Sequence, residues 1–353
     1  MTLNSKKHIQ LSKLFEKWSG ESQQCIEELP VSGSKREYYR IYGKTFTAIG
    51  VYNPNQRENE VFIRMAYFLK KERISVPSVY AKDLKKNIYI IEDMGDQSLF
   101  SVIRNLTDQP GQKEELKNLL QSVLAELCRI QIVAGRDMDF SLCYPISSFG
   151  KELILKDLEY FRDNFLSKTR VNFDLYKLNR DFGRLADYVN QADSRFFMYR
   201  DFQSRNILIH NGEFCFLDFQ GGMKGPLQYD VVSFLFQARA RLPQDLREEL
   251  VEYYFSISRM LTPISEFSFF RYYYAIALIR VLQTLGAYGL RGLKEGKDHF
   301  IQSIPFALDN LDILRQKNDI LRKMPELSNV LELLNQLNQR QNGINEIFDR
   351  NDQ

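Results

Sequence analysis

Histidine is nearly absent: His8, His210 and His299 are the only three in 353 residues. So few and so scattered, they exclude a histidine-rich metal centre and leave little from which to assemble a Ser-His-Asp triad, so any chemistry falls to carboxylates. Cysteine is also sparse. Cys25, Cys128, Cys143 and Cys215 form no C-x-x-C pair, which argues against a zinc site or a disulfide framework and suits a reducing, cytoplasmic setting. No apolar run approaches the roughly 18 uninterrupted residues of a membrane span, and MTLNSKKHIQ has no apolar stretch behind its lysines, so a soluble, unexported chain is expected. Excess charge of either sign is missing too. The 48 Lys+Arg against 45 Asp+Glu leave +3, too balanced for a dedicated nucleic-acid binder. What is plentiful is core material: 44% hydrophobic residues, with 26 Phe and 19 Tyr, enough for two folding units.

The hydrophobic pattern changes along the chain. Leu11, Leu14, Phe15 and Trp18 recur at helical spacing over 8–19, and short strand-like runs follow at 25–29, 37–42 and 45–52. A helix is expected over 58–72 and strands near 79–81 and 87–91. The polar, glycine-containing segment 93–97 is a candidate hinge. Beyond it, helical periodicity runs through 111–133, 150–166, 173–192, 228–240, 244–260, 266–290 and 298–316, interrupted by a strand-rich island at 196–219. A tail at 317–353 carries Leu327, Val330, Leu331, Leu333 and Leu334 as anchors of a docked helix.

The island holds the most informative residues. Asn211-Gly212 between ILIH and EFCFLD predicts a two-residue type I′ hairpin turn, because both central residues need positive φ. His210 then pairs with Glu213, and counting back places Asn206 opposite Leu217 and Arg205 opposite Asp218. Asn206 and Asp218 meet at the open end, where facing residues lie about 5 Å apart. Asp201, five residues upstream in YRDFQSRN, is near enough along the chain to fold over the same end. Two carboxylates and an amide oxygen suit Mg²⁺, a hard cation that completes its octahedron with water and phosphate oxygens. The other reading, turn caps and a strand end, serves any one of these residues but fits the three together poorly.

Tyr199-Arg200-Asp201, Asn206 and Leu217-Asp218-Phe219 resemble the catalytic and metal-binding segments of the protein-kinase-like fold in the form used by aminoglycoside and choline phosphotransferases. SGSKREYYRI (32–41), IIEDMGDQSL (90–99) and DFQGGMKGPLQYDVVSFL (218–235) are similar, more narrowly, to the bacterial kinases that phosphorylate the anomeric hydroxyl of N-acetylmuramate and N-acetylglucosamine. The resemblance spans roughly 25–300 and implies an α+β, bilobal protein-kinase-like fold: a small antiparallel-sheet N-lobe with one helix at 1–92, a hinge at 93–97, and a large mainly helical C-lobe at 98–316 carrying catalytic loop and hairpin 199–219. It also implies ATP and Mg²⁺ as cofactors and a small-molecule sugar or alcohol acceptor. Asp201 would orient and deprotonate the acceptor hydroxyl, Asn206 and Asp218 would hold the metal, and Arg205 would either screen phosphate charge or pair with Asp218 or Asp201. Asp230, opening a helix behind Pro226, would brace the catalytic loop.

The glycine-poor Ser32-Gly33-Ser34 occupies the place of the phosphate-covering loop, where the other reading is a plain polar turn. TFTAIGVY lacks the phosphate-pairing strand lysine, and Lys35, Arg36 and Arg40 are the candidate substitutes. Glu60 is the residue to compare with the kinase helix glutamate, or else a surface residue. Ile91 and Asp93 fall where backbone groups would meet adenine. Between 221 and 300 ten basic residues face eight acidic ones, so a neutral or anionic sugar fits better than a polycationic aminoglycoside, with Arg239, Arg241 and Arg280 as candidate carboxylate partners. Phe267–Phe270 and Tyr272–Tyr274 supply either a sugar-stacking surface or core. Two other readings stay open: an aminoglycoside- or choline-type phosphotransferase, and a nucleotide-binding pseudokinase.

Overall fold

The computed structural model describes residues 3–30, 36–109, 111–339 and 348. The chain divides into two compact units. The first comprises Met1–Val102, Asp137–Ser147 and Ser204–Gly222, the second Ile103–Arg136, Ser148–Gln203 and Met223–Gln353.

In the first unit helix α1 (Leu3–Ser19) precedes strands β1 (Cys25–Glu28), β2 (Glu37–Tyr42) and β3 (Thr47–Tyr52), helix α2 (Gln56–Lys71), and strands β4 (Val79–Asp83) and β5 (Ile88–Glu92). The strands form one antiparallel sheet in the order β1-β2-β3-β5-β4. Strand alternation sends Tyr39, Ile41, Ala48, Ile88 and Ile90 to one face, where Leu11, Leu14 and Phe15 of α1 complete an apolar core. Trp18 stacks on Tyr80 with ring centroids 4.2 Å apart. This unit therefore carries a second helix beside α2. Asn55 caps α2 by accepting from the Glu58 N–H, and Val61, Phe62, Met65, Ala66 and Leu69 make its buried face.

After α3 (Leu99–Thr107) the second unit is dominated by helices α4 (Lys113–Cys128), α5 (Lys151–Asn164) and α6 (Leu175–Val189). Strand β6 (Phe196–Met198) follows; hairpin strands β7 (Ile207–His210) and β8 (Glu213–Phe216) belong to the first unit. Strand β9 (Met223–Gly225) and helices α7 (Leu227–Leu235), α8 (Gln244–Leu261), α9 (Glu266–Tyr288), α10 (Asp298–Ile301), α11 (Ile304–Lys317) and α12 (Pro325–Gln339) complete the chain. The run expected over 298–316 is broken at Gln302-Ser303, and α11 restarts with Pro305 in its first turn, where the missing N–H costs nothing. Helix α9 is apolar around most of its circumference because α5, α7 and α11 all pack on it. Tyr272, Tyr273 and Phe269 are spent in that packing, whereas Phe267 is 72% exposed.

The pairing of β6 with β9 is a feature the sequence pattern did not reveal. Met-Lys-Gly has no alternation to read, and Gly225 is there because a Cβ would stand 2.6 Å from the Met198 sulfur across the ladder. Among the described residues no helix is long and apolar enough to cross a membrane. Phe15 is fully buried between α1 and the sheet, so Phe15→Ala should destabilise the first unit by about 3–5 kcal/mol. Fluorescence of Trp18, the chain's single tryptophan, followed through a denaturant titration reads this loss directly.

Candidate active site

The hairpin forms in the expected register. Asn211 and Gly212 both have positive φ, at 51° and 79°, His210 faces Glu213, and Ile207 faces Phe216. The Leu217 N–H donates to the Asn206 carbonyl at 2.8 Å and carries the ladder one step further. There it stops. Residues Ser204–Asn206 turn into a 3₁₀ loop and Asp218 adopts a left-handed conformation at φ 59°, so Arg205 and Asp218 do not face each other as strand partners. For a non-glycine residue that conformation costs about 1–2 kcal/mol, which is the signature of a position selected for where it points. The Ile209 N–H donates to Gln97 and the Phe216 N–H to Ser75, so both edges of the hairpin are bonded into the first unit. Arg205 is exposed.

Two arginines at β2, Arg36 just before it and Arg40 within it, are the candidate phosphate cations of the same unit. Arg36 is 2% exposed and its guanidinium donates to Glu58 of α2 and to the Tyr38 hydroxyl, with its plane 5.6 Å from the centre of the Phe62 ring. Burial weakens its hold on its proton, but Tyr89, Tyr38 and Glu58 outweigh that and hold it above the ordinary arginine value. Phe62 in turn stacks on Phe219, the residue after Asp218, at 4.9 Å. Burial and, next, the charge of Asp218 push the Tyr38 phenol upward, so Arg36 and Asp218 act on the same group. Arg40 is committed elsewhere: it donates to Asp93 at 2.8 Å and to Asp96 at 2.7 Å, clasping β2 to the segment after β5. Ile91 is buried in β5 opposite Ile49. Ser32, Gly33 and Ser34, with Lys35, lie outside the described residues.

In the second unit the segment after β6 is held by one buried carboxylate. Asp230 of α7 is wholly buried and accepts from the N–H groups of Tyr199 at 2.6 Å and Arg200 at 2.9 Å and from the Gln131 amide at 2.8 Å. Gln131 itself accepts from the buried Tyr254 hydroxyl. Arg200, at φ 76°, forks onto both oxygens of Asp157 at 2.8 and 2.9 Å and donates to the Tyr229 hydroxyl. Asp201 then emerges half-exposed, its Oδ1 accepting from Gln203 at 2.6 Å and from Arg280 of α9 at 3.4 Å. Arg239 lies within a 3₁₀ turn at 238–240 and Arg241 directly follows it; both are exposed, Arg241 lying over the Phe306 ring.

The helix glutamate that engages a cation is Glu58, whereas Glu60 only accepts from Gln56 on the exposed side of α2. Asn55 and Glu58 are spaced as N-cap and third helical residue, which marks the start of α2 but not the partner of Arg36. Gln131, Tyr254 and Asp157 were missed because nothing in their local pattern distinguishes them from helix core and surface. As donors for a cation, the Asn206 amide and Asp218 carboxylate supply hard oxygens that fit Mg²⁺, which takes few protein ligands. No group of three or more His, Cys, Asp or Glu side chains able to hold a metal occurs among the described residues.

Asp230→Asn tests the brace. A carboxylate serves three donors with two oxygens, whereas an amide has one oxygen and sets its NH₂ against a donor, so about 1–3 kcal/mol should be lost. Burial pushes the Asp230 pKa up to about 7 against the pull of those hydrogen bonds, from an ordinary 3.8. Between these values the folded chain keeps a proton that the unfolded chain has released, so this group's share of stability falls as pH rises through that window. Thermal denaturation at pH about 5 and about 8 should show that fall in the native chain and its absence in the variant.

The phosphotransferase enzyme family matches residues 26–267. An N-acetylmuramate/N-acetylglucosamine kinase of Pseudomonas aeruginosa is 24% identical over 323 residues, covering 89% of each chain. A protein of the same name from Neisseria meningitidis is 23% identical over 283 residues, covering 77% of this chain and 80% of the relative. Among solved structures, a microcompartment-associated aminopropanol kinase superposes with a TM-score of 0.62 over 92% of this chain and 99% of that one at 13% identity. The architecture is thus the protein-kinase-like α+β fold. With the family match running from β1 through the hairpin and Asp230 into α9, this chain belongs to the phosphotransferase enzyme family.

Proposed function

We propose that this chain is an ATP-dependent kinase that transfers the γ-phosphoryl group to a hydroxyl of an amino sugar, N-acetylmuramate or N-acetylglucosamine being the model acceptors. The observation that carries the reading is the hairpin, whose register sets Asn206 beside a left-handed Asp218 at one end. Phosphoryl transfer demands alignment and charge neutralisation more than covalent participation, and this pair offers the oxygen ligands that such chemistry needs. Mg²⁺ held by Asn206 and Asp218 would neutralise charge on the β- and γ-phosphates. Asp201 would orient the acceptor hydroxyl and take its proton, a service worth about 10²–10⁴ in rate.

Arg36 is the cation assigned to the phosphates in place of a strand lysine. Its pairing with Glu58 and its place in the electrostatic surroundings of Asp218 support that role. Arg205, exposed and next to Asn206, would screen phosphate charge. Arg40 serves by clasping Asp93 and Asp96 and so shaping the segment after Ile91, where backbone groups would meet adenine. Ser32, Gly33 and Ser34 would cover the phosphates. Arg239 and Arg241 remain the candidates to meet an acceptor carboxylate. The amino-sugar acceptor is supported by the relatives' names and by their coverage of nearly the whole chain, and a cytoplasmic setting suits both the ATP requirement and the unpaired cysteines.

ADP release on a panel of amino sugars, choline-type alcohols and aminoglycosides decides the acceptor. Turnover confined to the cationic alcohols or antibiotics would overturn the sugar reading. Asp201→Ala should abolish turnover in a chain that still folds, and activity surviving within tenfold would reject it as base. Asp218→Ala should remove the Mg²⁺ dependence of nucleotide binding measured by calorimetry. Losing one charge-assisted contact of about 1.5–3 kcal/mol, Arg36→Ala should raise KM for ATP by roughly 10–100-fold and leave KM for the sugar unchanged.

A further inference from the structure

Arg280 is the arginine of the second unit whose surroundings say most about its task. It projects from α9 with a side chain 9% exposed, and three partners fix its guanidinium from behind. Nε donates to the Ser233 hydroxyl of α7 at 2.7 Å, while Nη1 donates to the Thr284 hydroxyl at 2.8 Å and to the Gln283 side-chain oxygen. The Tyr229 ring lies 5.9 Å from the guanidinium carbon. Nη2 reaches Asp201 Oδ1 at 3.4 Å. Of five N–H groups, three are spent on anchoring and one on Asp201, so the pair of parallel donors needed to grip a second carboxylate is not on offer.

We infer that Arg280 is a positioning residue for Asp201 and does not read an acceptor carboxylate. The inference rests on Asp201 being the base that meets the acceptor hydroxyl. A base works only when its oxygen is held within hydrogen-bond reach of the proton, and a displacement of about 1 Å can cost on the order of 10²-fold. Asp201 sits on an irregular segment between β6 and the 3₁₀ turn at Ser204, with no helix or strand to hold its side chain. Gln203 and Arg280 both donate to its Oδ1 from different sides of the chain, and two donors on one oxygen fix the carboxylate plane. Gln203 is as loosely placed as Asp201 itself. Arg280 brings rigidity from a helix on which α5, α7 and α11 all pack, and Ser233 ties it to α7, three residues beyond the Asp230 that holds the Tyr199 and Arg200 N–H groups. Segment and side chain are therefore positioned from the same pair of helices.

The test compares Arg280→Met, Arg280→Lys and Ser233→Ala with the native chain, using N-acetylglucosamine, which has no carboxylate, and N-acetylmuramate, which has one. For Arg280→Met we expect kcat to fall about 10–100-fold on both sugars, with KM for either sugar and for ATP changing less than threefold. Lysine keeps charge and reach and should recover part of kcat. Ser233→Ala removes one anchor and should show a smaller loss of the same kind. An effect confined to N-acetylmuramate and expressed in KM would overturn the proposal and make Arg280 an acceptor ligand. So would an unchanged kcat on both sugars. A crystal structure of Arg280→Lys or Ser233→Ala is independent of the acceptor, and so of the sugar reading: Asp201 Oδ1 should leave its place beside Gln203 Nε2, and an unmoved carboxylate would sink the proposal.

Discussion

A guanidinium taken out of water must meet a carboxylate or pay heavily for its charge, and that constraint organises the polar residues of both units. Arg36 meets Glu58, Arg200 meets Asp157, and Arg280 meets Asp201. Each pair ties a strand or loop position to a helix, so a charge that would otherwise wander on a long side chain is fixed by secondary structure. The counter-example shows the cost. Arg247 of α8 is 4% exposed, two of its guanidinium nitrogens find no partner, and it sits over the Phe236 ring; burial pulls its pKa down to about 10. The arginines beside Asp218 and Asp201 are partnered instead. Pairing of this sort adds little net stability, since desolvation offsets much of the attraction. What it secures is direction, which phosphoryl transfer needs more than it needs binding strength.

How much of this was legible in the sequence depended on the range of the interaction. The hairpin was legible to the residue because turn chemistry is local: Asn211 and Gly212 accept positive φ, and the register follows by counting. Helix α9 and strands β2 and β3 were legible for the same reason, since periodicity is a short-range signal. The pair Arg36–Glu58 spans 22 positions and Arg280–Asp201 spans 79. No local rule distinguishes Glu58 from Glu60 as a partner once both are placed on α2; only the phase of the helix against β2 does. Strand β9 was illegible for a different reason. Three residues of which one is glycine have no alternation, and the strand exists because Phe196–Met198 offers an edge to pair with.

Charge counting shows the same limit. Ten basic residues against eight acidic ones between 221 and 300 suggested a field that would welcome an anionic acceptor. Much of that positive charge is already paired, stacked or buried. Arg280 is on Asp201, Arg247 is buried, Arg291 and Lys297 pair with Glu295, and Arg271 lies over the rings of Tyr188, Phe267 and Tyr272. Such charges are short-circuited by their neighbours and project little potential beyond them. Arg239 and Arg241, both exposed on one turn, are with Lys224, Arg259 and Lys294 the exposed members of that count outside those pairs and stacks. On the roles proposed above, Arg239 and Arg241 would discriminate only weakly between a carboxylated and a neutral sugar, since a long, solvated arginine is worth at most about 1 kcal/mol per contact. Such a phosphotransferase should accept both kinds of sugar with similar efficiency, because the groups fixed most firmly would serve the nucleotide's phosphates and the acceptor hydroxyl, which both sugars present.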